Sequence, residues 1–179
     1  MRMKVMFRSV FLVAALATLS ACAPQPVFRQ GGASLPVADI EIERYLGLWH
    51  EAARLPNGFE RNCTDVTAEY GLREDGLISV KNTCHDNGRV RVAEGRARPS
   101  GARAGEGKLE VSFFGPFWGD YWVLERADDY SWAGVGEPSG RYLWVLTRAP
   151  ALNPAQRAFF ETRISALGYR PSDLEWAAN

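Results

Sequence analysis

A repeated alternation of apolar and polar residues is the feature that most constrains this chain. Apolar side chains occupy every second position from Val66 to Leu72, from Ile78 to Val80 and from Leu109 to Phe113. Successive side chains of a β-strand point to opposite faces, so each run predicts a strand with one buried face. Turn sequences such as Asp86-Asn87-Gly88 separate the runs. The chain is therefore predicted to be built mainly of short antiparallel strands.

Strand-length runs continue at a regular spacing to Arg148. Such spacing is typical of an antiparallel sandwich or barrel, and the residues alone leave both open. After Arg148 the period becomes helical, because Phe159, Phe160, Ile164 and Leu167 fall on one helix face. Asn153 and Pro154 begin this helix, Gly168 ends it, and a short strand near residues 173–177 follows. We predict eight strands, near residues 45–54, 64–72, 77–84, 89–98, 107–114, 119–126, 130–136 and 141–148, and one amphipathic helix packed outside the sheet.

The first residues have the layout of a secretory signal. Basic residues precede an apolar run from Val10 to Leu19, which is too short for a comfortable membrane span. The sequence Leu19-Ser20-Ala21-Cys22 resembles the lipobox of bacterial lipoproteins, although an ordinary signal with a chance cysteine is the alternative. The resemblance implies a signal peptide over residues 1–21 and a lipid on Cys22. Because Ala23 is not aspartate, it also implies the outer membrane, with the domain facing the periplasm.

Composition limits the remaining partners. Removing residues 1–21 leaves 18 basic and 21 acidic residues without a basic patch, so nucleic acid is not an expected partner. Residues 22–38 are rich in Pro, Gly, Ser and Gln and predict a flexible tether between the lipid and the domain. Residues 39–179 are enough for one domain with one core.

The cysteines are few enough to assign. With Cys22 acylated, Cys63 and Cys84 remain as a pair in an oxidising compartment. Closing this loop would stabilise the fold by about 3 kcal/mol. Free thiols or a metal site are the alternatives, but the two histidines, His50 and His85, do not give a usual ligand spacing. We predict a disulfide and neither a metal nor a cofactor.

Three short motifs in order resemble those of the lipocalins. Gly47-Leu48-Trp49 is similar to their G-x-W motif, Gly119-Asp120-Tyr121 to their second motif, and Arg148 to their third motif, a single arginine. The resemblance implies an eight-stranded antiparallel up-and-down barrel with one C-terminal helix outside. It also implies that Trp49 plugs the closed end, where the guanidinium of Arg148 can stack on the indole.

Two longer stretches, residues 53–57 and 111–117, are similar to bacterial outer-membrane lipocalins, which are relatives of apolipoprotein D. This resemblance covers about residues 40–179 and implies a carrier of a fatty acid, a lysophospholipid or a similar amphiphile. Ala93, Gly95 and Ala97 are expected to leave room inside the barrel. The candidate ligand contacts are Tyr70, Val80, Phe113, Tyr121, Val123, Trp144 and Leu146.

Two other functions remain open. A lipid-modifying enzyme would need a free Cys63 as its nucleophile, and no base lies near Cys63 in the sequence. A structural envelope protein would fill its barrel with side chains. The apolar stretch around Phe114 and Phe117 could contact the membrane or a second copy, so a homodimer is possible.

Overall fold

In the computed structural model, which describes residues 25–31 and 34–177, nine strands form one antiparallel sheet that closes on itself. Strands β2 to β8 lie in sequence order, β8 pairs with β1, and β1 pairs with β2 to complete the barrel. The elements are α1 (Ile42–Tyr45), β1 (Gly47–Arg54), β2 (Thr64–Leu72), β3 (Ile78–Asp86), β4 (Arg89–Pro99), β5 (Lys108–Ser112), β6 (Gly119–Arg126), β7 (Trp132–Gly136), β8 (Leu143–Thr147), α2 (Pro154–Ala166), a 3₁₀ turn (Pro171–Asp173) and β9 (Glu175–Trp176).

The predicted fold class is confirmed. Each of the eight predicted strands is present, and the helix and short final strand follow as expected. β9 pairs with β1 at Ala53 and Arg54, beyond the stretch of β1 that pairs with β2. The predicted signal peptide and Cys22 lie outside the described residues.

Alternating side chains divide the core into two clusters. The inner cluster fills the barrel and includes Val123 and Leu146. The outer cluster lies between the barrel and α2 and includes Leu124 and Val145. β6 and β8 are therefore apolar on both faces, because one face meets the barrel interior and the other meets the helix.

The helix begins and ends as the sequence predicts. The Asn153 side chain accepts a hydrogen bond from the backbone N–H of Gln156, the Gln156 side-chain oxygen accepts one from the backbone N–H of Asn153, and Pro154 occupies the first turn. Phe160 and Ile164 are buried, but Phe159 is 45% exposed and touches Trp132 only at the edge of the apolar face. None of the helices in the described part of the chain is long and apolar enough to cross a membrane.

The two ends of the barrel differ, and we name them by their loops. The floor is formed by residues 73–77, 100–107 and 127–131 together with α1. The mouth is formed by residues 55–63, 87–88, 113–118 and 137–142. At the mouth, the Cys63–Cys84 disulfide joins the first loop to the end of β3, which confirms the predicted pairing.

The described residues before α1 lie against the barrel, and we call residues 25–31 and 34–38 the strap. The backbone amides of Phe28 and Arg29 donate to the carbonyl of Gly140, and that of Gln30 donates to Gly168. Near the other end of the strap, the amide of Ala38 donates to Val123. These contacts differ from the predicted flexible tether, because Phe28 and Leu35 bury apolar surface against the outer cluster.

Candidate functional site

The floor is closed by an aromatic ring under a cation. Trp49 is fully buried, and its indole N–H donates to the carbonyl of Tyr45 at 2.8 Å. The guanidinium carbon of Arg148 lies 3.7 Å from the centroid of the Trp49 ring, the stacking that the sequence predicts. Gly47 adopts φ +91°, a backbone conformation that L side chains rarely adopt, which explains a glycine two residues before Trp49.

The other donors of Arg148 hold the entrance to β1. They reach the carbonyls of Leu48 at 2.7 Å, Leu46 at 2.9 Å and Arg44 at 3.0 Å. One side chain therefore satisfies the carbonyl groups at the end of α1, where the helix leaves them without partners. Trp49 and Arg148 belong to the floor rather than to a ligand site.

Three tyrosine hydroxyls meet directly above this floor. The Tyr121 hydroxyl lies 2.9 Å from that of Tyr45 and 2.8 Å from that of Tyr70. Burial raises the pKa of Tyr70 to about 12 and raises the pKa values of Tyr45 and Tyr121 well above the usual value, so all three stay neutral. Three hydroxyls carry three protons and the two contacts use two, which leaves one O–H donor for a further acceptor.

The predicted ligand contacts lie together on the inside of the barrel. Phe113, Tyr121 and Trp144 are half-buried and pack against the inner cluster. The other four, which are Tyr70, Val80, Val123 and Leu146, are buried members of that cluster.

The expected wall of small residues is wrong in part. Ala97 is buried, but Ala93 is exposed near the mouth. Gly95 does not leave open space, since a Cβ there would lie 2.8 Å from Cδ1 of Phe113. The ring of Phe113 therefore occupies the room that Gly95 provides.

A second group of polar residues, which sequence reasoning missed, lies toward the mouth. Nη1 of Arg54 donates to Glu51 at 2.6 Å, and Nη2 donates to Glu175 at 2.8 Å and to the carbonyl of Cys63 at 3.2 Å. The carboxylate of Glu60 lies 3.8 Å from Nε of Arg54. Glu51, Arg54 and Glu60 are each at least nine-tenths buried, and we call them the carboxylate cluster.

One guanidinium cannot neutralise the two buried carboxylates of Glu51 and Glu60. Burial, followed by the nearby carboxylate of Glu60, raises the pKa of Glu51 to about 8, against the lowering effect of Arg54. Glu51 therefore carries its proton at neutral pH. The sequence held one signal for it, because Glu51 follows Trp49 by two residues and so shares its inward face. Arg54 could not be found this way, because the pairing of β1 with β8 shifts between Glu51 and Ala53.

Aromatic rings connect the carboxylate cluster to the mouth. The indole N–H of Trp144 donates to Glu60 at 3.1 Å, and the Trp144 ring stacks on Tyr142 with centroids 5.7 Å apart. Phe59 of the first mouth loop covers both rings and is itself 55% exposed. The upper interior thus combines apolar ring faces with a small set of polar groups, as small-molecule sites commonly do.

A cavity of about 590 Å³ lies along β2 to β5. Its lining includes three predicted contacts, Tyr70, Val80 and Phe113, but also Lys81, the neighbour of Val80 in β3, and Arg96 of β4. Because charged side chains of the outer wall line it, this cavity is open and polar rather than an enclosed apolar chamber.

Comparison with known proteins gives consistent matches. The lipocalin-like domain family matches residues 40–179. The outer membrane lipoprotein Blc of Vibrio cholerae is 42% identical over 148 residues, which cover 81% of this chain and 83% of that protein. Apolipoprotein D of Cavia porcellus is 35% identical over 142 residues, which cover 76% of this chain and 72% of that protein.

A solved structure agrees on the architecture. Insecticyanin from the tobacco hornworm Manduca sexta superposes with a TM-score of 0.67 at 23% identity, covering 84% of this chain and 87% of that one. At this identity the likeness concerns the fold alone.

Proposed function

Because the chain belongs to the lipocalin family, we propose that its barrel binds the acyl chain of a single-chain amphiphile such as a fatty acid or lysophospholipid. Family membership supports a hydrophobic ligand in general. The observation that carries the proposal is the asymmetry of the interior, which is plugged by Trp49 at the floor and lined by aromatic and aliphatic side chains toward the mouth. The protein would store or transport this ligand in the cell envelope.

The energetics suit a chain of methylenes. Each CH₂ moved from water to an apolar interior contributes about 0.8 kcal/mol, against the cost of ordering the chain. We propose that the tail lies above the tyrosine hydroxyls, where the remaining O–H donor can serve a water or a polar ligand atom. The proposed contacts are Tyr70, Val80, Phe113, Tyr121, Val123, Trp144 and Leu146.

The carboxylate cluster limits which ligand head groups could lie beside it. Arg54 already contacts Glu51, Glu60 and Glu175, so it has little charge to offer an anion. A bare carboxylate beside Glu60 would add repulsion, whereas a hydroxyl or an ammonium group could bond to it. Within the proposed class, we therefore favour an amphiphile with a hydroxyl or ammonium head over a fatty acid bound head-up beside Glu60.

The relatives that are named outer membrane lipoproteins support the outer membrane as the location of this chain. We propose that residues 1–21 are the signal peptide, that Cys22 carries the lipid and that residues 39–179 are the binding domain facing the periplasm. The lipid anchor would supply the stable attachment, since acyl chains contribute per buried methylene.

A binding protein is favoured over an enzyme. In the structure the sulfur of Cys63 is bonded to Cys84, so the one nucleophile suggested by the sequence has no free thiol. We propose that the protein binds its ligand without modifying it. Thiol titration of the folded, oxidised protein tests this point, and two free thiols would favour the enzyme instead.

Two adjacent phenylalanines provide a matched test of the binding site. Phe113 points into the barrel, whereas Phe114 is 81% exposed. Palmitate and lysophosphatidylethanolamine are titrated into the protein in detergent-free buffer, with tryptophan fluorescence and native mass spectrometry as readouts. We expect Phe113→Asp to weaken binding on the order of tenfold and Phe114→Asp to leave it unchanged. If the parent protein binds neither probe, the proposed function is refuted.

A further inference from the structure

Exposed aromatic residues gather at one end of the barrel. Phe114 and Phe117, in the loop between β5 and β6, are 81% and 76% exposed, and Phe59 in the first loop is 55% exposed. All three lie on the mouth. Burying an exposed aromatic ring is favourable, so three exposed rings at one end indicate a surface that a partner covers.

The two ends of the barrel also differ in charge, and the exposed carboxylates are at the floor. The mouth loops contain two carboxylates, Glu60 and Glu137, and both are buried, at 9% and 8% exposure. Their cations, Arg61 and Arg141, are exposed and half-buried. The floor loops instead carry two cations against five carboxylates, Glu74, Asp75, Glu106, Asp128 and Asp129.

The strap brings the N-terminal part of the chain to the mouth. The side-chain amide of Gln25 donates to the carbonyl of Pro56, and Nε of Arg141 donates to the carbonyl of Gln25 at 3.0 Å. Both partners belong to mouth loops. Cys22 is three residues before Gln25, and three residues span at most about 10 Å, so a lipid on Cys22 lies within that reach of the mouth.

From these observations we infer that the mouth of the barrel docks on the lipid surface, so that the interior opens toward the bilayer. Phe114 and Phe117 insert among the acyl chains and head groups, and Arg61 and Arg141 face anionic head groups. An amphiphile can then enter the barrel from the bilayer without crossing water. The inference rests on the proposed lipid at Cys22 for its orientation and on the proposed function for its cargo.

Depth measurements on the full, lipidated chain test the orientation. Because Cys63 and Cys84 are joined and Cys22 is the proposed acylation site, one introduced cysteine accepts a fluorescent label uniquely. Phe117→Cys places the label at the mouth. Leu72→Cys is the matched control, since Leu72 is an apolar residue 65% exposed at the floor. The proteins are reconstituted into vesicles of phosphatidylethanolamine and phosphatidylglycerol.

We expect the label at position 117 to be quenched by nitroxide-bearing lipids and protected from aqueous iodide, and the label at position 72 to behave in the opposite way. Equal access of iodide to both labels would overturn the inference. Protection at position 117 without quenching by the lipid nitroxide, together with energy transfer between labelled copies, would show that a second copy covers the mouth instead.

A transfer assay separates this inference from the proposed function. The double variant Phe114→Asp/Phe117→Asp should slow uptake of a fluorescent lysophospholipid from vesicles on the order of tenfold, with unchanged affinity for the same lipid delivered in solution. Leu72→Asp should change neither. If the parent protein does not bind the lysophospholipid in solution, the proposed function alone is refuted. If the double variant binds it normally and takes it up from vesicles as fast as the parent protein does, docking through the mouth is refuted.

Discussion

The floor and the mouth of the barrel follow opposite rules of construction. At the floor, Trp49 is fully buried and every contact of Arg148 serves to close the end of the sheet. At the mouth, aromatic rings are left exposed and carboxylates are buried around Arg54. The floor maximises packing and satisfied hydrogen bonds, which are the sources of stability.

The mouth retains features that cost stability. Burying Glu51 and Glu60 around one guanidinium carries a desolvation cost that their mutual attraction does not clearly repay. Exposed rings such as Phe117 gain nothing from the fold. This contrast indicates that stability resides mainly at the floor, which agrees with the proposed ligand contacts lying above it, and four experiments can break or sharpen it.

The largest expected effect is at the floor. Trp49→Ala removes a fully buried ring beneath Arg148 and should lower the free energy of unfolding by about 3–5 kcal/mol. Trp144→Ala, the matched change near the mouth, should cost about 1–2 kcal/mol because Trp144 is only half-buried. Guanidinium unfolding monitored by circular dichroism measures both. Equal losses would contradict the division between the two ends.

The Cys63–Cys84 disulfide is a covalent link that stabilises the mouth. Replacing both Cys63 and Cys84 by alanine opens a loop with a sequence separation of 21 residues and should destabilise the fold by about 3 kcal/mol. Reduction of the parent protein should produce a similar loss in thermal unfolding. A loss below about 0.5 kcal/mol would show that the mouth is held by its other contacts.

The tyrosine hydroxyls lie where the two regions meet. Tyr121→Phe removes the central hydroxyl and leaves those of Tyr45 and Tyr70 without their shared partner, so it should cost about 1–3 kcal/mol. Tyr70→Phe removes only an end of the chain of hydroxyls and should cost about 1 kcal/mol. Chemical denaturation of the two variants compares them, and a larger loss for Tyr70→Phe would show that the hydroxyls act independently.

The last prediction concerns pH at the mouth, where the effect is small for each pH unit. The pKa of Glu51 is raised from its ordinary 4.5 to about 8 by burial, so between these values the folded state binds the proton that the unfolded state has lost. Unfolding free energy should therefore fall as pH rises through this window, by roughly 1 kcal/mol per pH unit. Glu51→Gln should flatten the slope, whereas Glu43→Gln on exposed α1 should not. An unchanged slope in Glu51→Gln would assign the titration to another group.

The fold was predictable because its signals are local. Alternation located the eight strands, and Asn153, Pro154 and Gly168 bounded α2. The disulfide followed from having only two cysteines after Cys22. Arg148 could be placed on Trp49 from the resemblance, because that contact belongs to the fold family rather than to this chain.

The missed parts depend on irregular or long-range structure. Arg54 turns inward only because the pairing of β1 shifts before it, and no residue pattern marks that shift. The docking of the strap was not predicted, because a Pro- and Gly-rich composition suggests a tether, whereas the contacts depend on surfaces at residues 140 and 168 that the fold brings together. Gly95 suggested open space because the sequence does not reveal that the ring of Phe113, which follows β5, fills it.

The strap also sets how the domain bears a mechanical load. Tension on the chain ahead of Gln25 reaches the hydrogen bonds of Gln25 to Pro56 and Arg141, and then the backbone bonds to Gly140 and Gly168, before it reaches the strands of the barrel. Both glycines have positive φ, and a Cβ on either would lie within 2.6 Å of Arg29 or Gln30. The strap therefore packs directly against both glycines. With the proposed lipid at Cys22, a pull from the membrane would therefore detach the strap first and leave the closed sheet intact.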